Sequence, residues 1–359
     1  MKQDGRSFLP SSKLVSEKVV SPGQFCFAVA GLVHGHVFGM ISGFLGCGAT
    51  LKSFFDDDDE RAKDFMSRYP SAKRVSSLEE IKNDPEIKLV LNCIRPDVRA
   101  ALSVSLLKAG KAVFSDKPGF LTLRQFEVLD KVVDETNGHY CIYFSERFHA
   151  EGPMLAQKFI NEGRIGKVNH YTGTGPHRLN AQTRPWWFFE SGINGSIIID
   201  LGCHLVEQFL SNTSNRNASV VYASMSNRSN PKHPDFFDTG DIVLRGDNGV
   251  DGYIHVDWFT PDGLSSWGDG RTVITGDKGY IEVRRYIDIT RDTGPNHVFL
   301  VDEEGEKYFN ASDSLGFPFF GEYVIDCMNG TFEAIGKKDC LNAMRIAVEA
   351  DAVARKGFL

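Results

Sequence analysis

The chain has no apolar run approaching the roughly 20 residues that span a bilayer, no CxxC pair, no internal repeat and no surplus of positive charge. Each absence excludes something. Without a long apolar run there is no membrane span to expect. The net charge of −7 argues against a nucleic-acid surface, which needs a concentrated positive field. Seven scattered cysteines (Cys26, Cys47, Cys93, Cys141, Cys203, Cys327 and Cys340) fit reduced, mostly buried thiols and neither a disulfide framework nor a zinc site. The first 23 residues are polar and mixed in charge and lack the apolar core of a secretion signal. They read as a loose N-terminal arm on a cytoplasmic protein. No carboxylate–histidine spacing suggests a metal.

What is present is ordinary globular composition, 42% hydrophobic and 24% charged, over 359 residues. That length allows two domains with real cores. Residues 24–145 alternate short apolar strands with amphipathic helical patterns. Strands are expected at Phe25–Ala30, Thr50–Phe55, Leu89–Ile94, Lys111–Ser115 and Cys141–Phe144. Helices are expected from about His34 to Leu45, through Arg61–Met66, and from about Val98 to Ala109. Strand–helix alternation with unpatterned apolar strands predicts a parallel sheet covered on both faces. After residue 146 the strands alternate polar and apolar residues, as in Gly252-Tyr253-Ile254-His255-Val256-Asp257-Trp258. The tracts at 168–175, 218–226, 240–246, 272–275 and 279–284 are similar, and 246–249 and 276–279 read as hairpin turns. Residues 146–359 are thus expected to form an α+β domain with a large, mostly antiparallel sheet, ending in helices at 319–327 and 340–354.

Gly31-Leu32-Val33-His34-Gly35-His36 follows the first strand and opens the first helix, the placement of a dinucleotide-binding turn. Gly31 satisfies the first position of G-x-G-x-x-G. Val33 and His36 occupy the second and third, and Gly35 comes one residue early. Asp56, 25 residues beyond Gly31, ends the second strand, where an acid can accept from ribose hydroxyls and repel a 2′-phosphate. The cofactor expected is NAD in preference to NADP. Farther along, Asp200 and His204 are four residues apart after Ile197-Ile198-Ile199. In an α-helix that spacing puts both on one face, with His204 as a candidate general base near neutral pH. His177, Trp186 and Trp187 precede this pair. Aromatic faces stack on sugar rings and a histidine binds hydroxyls, so they are candidate substrate contacts.

In order, these segments resemble the glucose–fructose oxidoreductase / inositol dehydrogenase / rhizopine-catabolism (Gfo/Idh/MocA) family of oxidoreductases. The resemblance runs from about Phe25 to Gly357. It includes Ala30-Gly31-Leu32, Asp56, Ala109-Gly110-Lys111, Asp116-Lys117-Pro118 (with Asp for the family's Glu), Arg147-Phe148, Gly163–Val168, Gly195–His204 and Thr275–Gly279. The resemblance implies a Rossmann domain followed by an α+β domain that covers the cofactor. It implies Lys117 beside the nicotinamide and the substrate, with Asp200 and His204 as its catalytic partners and Arg147 near the substrate. Ile94, Arg95 and Pro96 would line the cofactor site with Gly31, Val33, His34, Gly35 and His36. Arg95 departs from the family pattern; beside the nicotinamide it would suit an acidic substrate, or it pairs with a nearby acid. The implied activity is NAD-dependent hydride transfer at a secondary alcohol or ketone of a sugar, cyclitol or related polyhydroxy compound. A homodimer or homotetramer through the C-terminal sheet would follow. A dinucleotide- or sugar-sensing protein of the same fold and an NAD-dependent glycosidase are the alternatives.

Overall fold

The computed structural model describes residues 4–6, 8–291 and 294–357. Parts of the expected N-terminal arm, residues 1–3 and 7, lie outside the described residues. Strands β1 (Cys26–Ala30), β2 (Thr50–Phe55), β3 (Lys73–Arg74), β4 (Ile87–Asn92), β5 (Ala112–Ser115) and β6 (Tyr140–Ile142) form a parallel sheet in the order β3-β2-β1-β4-β5-β6. Every residue of β1 is buried. Helices cover both faces of such a sheet, so its central strands need apolar residues at consecutive positions. The strand order reverses between β1 and β4. In sheets of this kind the crevice at that switch point, outside the C-terminal strand ends, is where ligands bind.

The turn after β1 is built for close approach. Gly31 has φ +83°, and a Cβ there would meet the backbone of Ile94 at 2.7 Å. The first helix runs His36–Gly46, two residues later than expected, because His34 and Gly35 belong to the turn.

The second sheet has eight strands: β7 (Val168–Pro176), β8 (Ala218–Ser226), β9 (Thr239–Gly246), β10 (Asp251–Asp257), β11 (Arg271–Gly276), β12 (Tyr280–Arg284), β13 (His297–Asp302) and β14 (Gly305–Asn310). Their order is β14-β13-β12-β11-β7-β10-β9-β8. All neighbours are antiparallel except β7 and β10, which run parallel. Period-two alternation decides the faces: Gly252, Ile254 and Val256 are buried, while Tyr253 faces outward. The helix Cys203–Asn212 lies on the inner face, where Phe209 meets Tyr171 edge-on with centroids 5.7 Å apart. The last helix, Asp339–Lys356, packs on that helix and on β8.

Instead of hanging loose, the N-terminal segment crosses the mouth of the crevice. Phe8 packs against Trp267 and Tyr286, with centroids 5.7 and 5.9 Å away. The Arg6 guanidinium donates to the Thr183 carbonyl at 3.0 Å, and the Arg6 carbonyl presses on Gly35, leaving no room for a side chain there.

Replacing Gly31 by valine should cost about 2 kcal/mol through backbone strain alone and push Ile94 out of the crevice floor. Thermal unfolding and NAD titration check this; a variant with unchanged melting temperature and NAD affinity would contradict the role given to the turn.

Candidate active site

Two elements from different sheets meet at an enclosed cavity. Asp116-Lys117-Pro118 leaves the C-terminal end of β5. Opposite it, Ile198–Gly202 forms a π-helical turn that runs into the helix Cys203–Asn212. Such turns frequently mark functional sites. Lys117 Nζ donates to Asp200 Oδ1 at 2.5 Å, and both side chains are buried. Burial works against the Asp200 charge, but the lysine beside it holds the carboxyl below its ordinary value. The Asp200 carboxylate therefore serves Lys117 and not His204, as the α-helical spacing suggested.

His204 lines the same cavity. Its Nδ1 is buried and has no hydrogen-bond partner among the described residues. Burial lowers its pKa to about 3; Lys117, His36 and His177 reinforce this and Glu146 opposes it. The ring is neutral at pH 7 and can accept a proton.

Glu146 forms the wall nearest the second sheet. Its Oε2 lies 3.3 Å from an Arg285 guanidinium nitrogen and accepts from Gln208 at 3.3 Å. Arg285 is itself fixed by Thr174 O, Thr272 and Gln208. Burial opposes the Glu146 charge, yet Arg285, His204 and His177 hold its pKa at about 2. His177 Nε2 stands 3.8 Å from Glu146 Oε1, and its Nδ1 is 3.0 Å from the Gly175 carbonyl. A carbonyl only accepts, so Nδ1 carries the hydrogen and Nε2 presents a lone pair. Two acceptors thus face this corner of the cavity, and each can take a hydrogen bond from a separate ligand hydroxyl. Trp258, Trp267 and Tyr286 complete the apolar wall.

On the opposite side, Asp116 is wholly buried. Its Oδ1 lies 2.9 Å from His36 Nδ1, and its Oδ2 lies 3.1 Å from His34 Nδ1 and 3.5 Å from the Arg99 guanidinium. The Lys117 backbone N–H donates to it as well, at 2.8 Å. Burial resists the charge, but the two imidazoles and Arg99 keep the carboxyl well below the usual range. His34, His36 and Asp116 bring three potential metal-ligand atoms within 4.8 Å of one another, a grouping that no local spacing announced. Because Arg99 already balances the carboxylate, we read the three as a charge cluster in which His36 hydrogen-bonds Asp116 and His34 stands at ion-pair range: a dication there would leave excess positive charge buried.

The dinucleotide crevice adjoins this cavity. Gly31, Val33, Asp56, Asp57, Arg61, Ile94, Arg95 and Trp187 line a cleft of about 370 Å³ at the ends of β1, β2 and β4. That position and the side-chain-free turn at Gly31 fit a dinucleotide. Asp56 is buried and already occupied: it accepts from Leu32 N at 2.6 Å, Asp58 N at 2.9 Å and Arg61 at 2.9 Å. It ties the turn to β2, and Asp57 is the more exposed carboxylate of the pair. Arg95 pairs with Asp97 at 2.7 Å and lines this outer cleft, not the Lys117 cavity; the nearby-acid reading of Arg95 is the one realised. Pro96, His34 and His36 line the inner cavity. Free space there is only about 60 Å³, the share of roughly two waters, with Gly5, Arg6, Phe8 and Pro10 among its walls.

Two expected substrate contacts lie elsewhere. Arg147 donates to Glu207 at 2.6 Å and borders a separate cavity. Trp186 is 68% exposed, while Trp187 lines both the cavity and the crevice. Glu146, one residue before Arg147, is the residue that faces the site; it follows a strand of only three residues, too short for a face to be read. Asp116 also faces the cavity, and in the sequence nothing but its place beside Lys117 marks it.

Matches to known proteins agree with this architecture. Residues 31–144 match the model of an oxidoreductase family with an NAD-binding Rossmann fold, and residues 154–282 match the GFO/IDH/MocA C-terminal domain. A crystal structure of a protein described as an oxidoreductase, from Erwinia carotovora atroseptica SCRI1043, is 38% identical and superposes with a TM-score of 0.90 over 92% of this chain and 99% of that one. Levoglucosan dehydrogenase in complex with NADH and levoglucosan shares the fold at 18% identity, with a TM-score of 0.77 over 92% and 98% of the two chains. Scyllo-inositol 2-dehydrogenase (NADP(+)) of Bacillus subtilis (strain 168) is 27% identical over 177 residues, 49% of this chain and 49% of its own length. The chain thus aligns with about half the length of that curated relative. The chain belongs to the GFO/IDH/MocA family of oxidoreductases.

Two outcomes follow from the geometry. Burial holds His149 and His204 at about pH 3 and His177 at about pH 4, below the ordinary 6.5. The unfolded chain therefore binds more protons than the folded one below pH 6.5. Stability should fall as the pH drops from 6.5 toward 4.5, and the slope of melting temperature against pH should flatten in His204→Gln. Separately, Arg147→Ala should lower stability by about 3 kcal/mol by leaving Glu207 buried without its cation, with little effect on substrate KM. A raised KM with unchanged stability would restore Arg147 to the substrate site.

Proposed function

We propose that this member of the GFO/IDH/MocA family is an NAD-dependent dehydrogenase of a neutral polyhydroxy compound, a sugar or cyclitol. The observation that carries the reading is the Lys117–Asp200 pair at 2.5 Å, buried beside the neutral His204 in the cavity that adjoins the dinucleotide crevice. A bound nicotinamide would supply the hydride acceptor. The chain's own residues manage the hydroxyl: Lys117 donates to its oxygen and stabilises the charge that develops, Asp200 holds Lys117 in place, and His204 accepts the proton.

Charge balance supports a neutral substrate. Lys117, Arg99, Arg184 and Arg285 each face a carboxylate, namely Asp200, Asp116, Asp4 and Glu146, so none of these four cations is left over for a substrate carboxylate or phosphate; Arg6, also in the wall, is held by the Thr183 carbonyl. The acceptor pair Glu146–His177 and the wall of Trp258, Trp267 and Tyr286 suit the hydroxyls and C–H faces of a sugar ring. Relatives named for scyllo-inositol and levoglucosan fit the same class.

For the cofactor, NAD is favoured over NADP. Arg61, the cation best placed to meet a 2′-phosphate, is already bound to Asp56, Asp57 and Asp58. In addition, the outward face of the second sheet, with Tyr222, Tyr253 and Tyr280 exposed, is proposed as the contact between copies in a homodimer or homotetramer.

The test is NADH production over a panel of inositols, pentoses, hexoses and their acid derivatives. Turnover is expected on neutral compounds with NAD. Lys117→Met should cut kcat about a thousandfold while NAD binding, followed by fluorescence, stays within a few fold. Turnover confined to sugar acids, or a Lys117→Met variant as active as the wild type, would overturn the reading.

A further inference from the structure

The acid–imidazole couple expected at Asp200–His204 is made elsewhere in the cavity. Asp200 is committed to Lys117. Asp116 instead holds two imidazoles, His36 at 2.9 Å and His34 at 3.1 Å, both through Nδ1. A carboxylate with no proton of its own only accepts, so Nδ1 of His36 carries the hydrogen and Nε2 is left as a basic lone pair. A carboxylate behind an imidazole also stabilises the imidazolium that forms when Nε2 takes a proton.

Position gives this couple a task. Lys117, Asp200 and His204 are buried, whereas the His34 and His36 side chains keep 17% and 13% of their surface. They are the most exposed histidines of the cavity among the described residues. The His36 ring stands edge-on to His204 with centroids 6.5 Å apart, and to His34 at 4.2 Å. The Nδ1 of His204 has no hydrogen-bond partner among the described residues. The other groups facing His36 are Tyr143, edge-on at 5.5 Å and itself bonded to His149, and Arg99 behind Asp116.

We propose that His36, oriented by Asp116 and flanked by His34, is the proton port of the site, exchanging the substrate's hydroxyl proton between His204 and solvent. The inference rests on reading the site as one that oxidises a hydroxyl. The alcohol O–H bond breaks and its proton goes to His204. That proton then moves to His36 Nε2 and leaves to water past His34; in reduction the order reverses. No proton is created or lost, and Asp116 stays ionised throughout.

Two measurements on the full-length protein decide the matter. Nitrogen-15 NMR of the histidine side chains should show His36 as the Nδ1–H tautomer at pH 7, changing in Asp116→Asn; this readout stands whether or not any polyol is turned over. An Nε2–H tautomer would overturn the assignment. On the best neutral substrate of the panel, with NAD, His36→Gln should lower kcat about a hundredfold with KM for NAD within a few fold. Added imidazole buffer should restore part of the rate, since a small base can take over proton transfer but not a structural contact. A His36→Gln variant with wild-type kcat, or one whose loss lies in NAD affinity and ignores imidazole, would show that His36 only lines the cofactor.

Discussion

The buried contact between Lys117 and Asp200 constrains the rest of the molecule. One partner ends a strand of the parallel sheet and the other sits on a π-helical turn over the antiparallel one. Neither charge is tolerable in that interior without the other, because an unpaired buried ion costs several kcal/mol. The pair therefore fixes how the two halves face each other across the cavity. Beside it, burial keeps His204 neutral, and the Lys117 charge adds to that effect. The rest of the cavity repeats the arrangement: Arg285 with Glu146 and Arg99 with Asp116. What these pairs leave to a ligand is lone pairs, lysine protons and aromatic faces, with the Arg6 guanidinium at the wall.

Much of the fold was legible in the sequence because burial writes itself into periodicity. β2 occupies the six residues expected, and β8 the nine. β13 and β14 were missed. β14 is an edge strand with none of its residues fully buried, so it has no apolar face to announce it. The turn at Asp200 was misjudged for a related reason: four-residue spacing was read with an α-helical pitch, and the π-helical turn changes the phase. Lys117, Asp200 and His204 were found because adjacent motif residues marked them. Glu146, Arg285 and the Asp116 cluster were not, because their meaning lies in contacts between residues 31 to 139 positions apart, which no local pattern carries. Arg147 shows the converse error, a resemblance transferred to the neighbour of the residue that faces the site.

The two acidic motifs also changed meaning in place. Asp56 stands where a ribose ligand is expected, and its carboxylate also ties β2 to the turn after β1 through Leu32. Asp116 looked like a shortened glutamate, and the shorter side chain meets the imidazoles that His34 and His36 bring from the opposite turn. In both cases an acid at a familiar position also carries hydrogen bonds within the chain.

Gly35 shows how far such substitution reaches. It stands one residue early for the dinucleotide fingerprint, and by itself looks like a glycine out of register. Its backbone is where the Arg6 carbonyl crosses. The fingerprint's missing third glycine and this extra one are thus independent: the first position was given to an imidazole, and the second was vacated for a distant stretch of the same polypeptide. A profile that scores the motif as degraded would be counting two gained contacts as two losses.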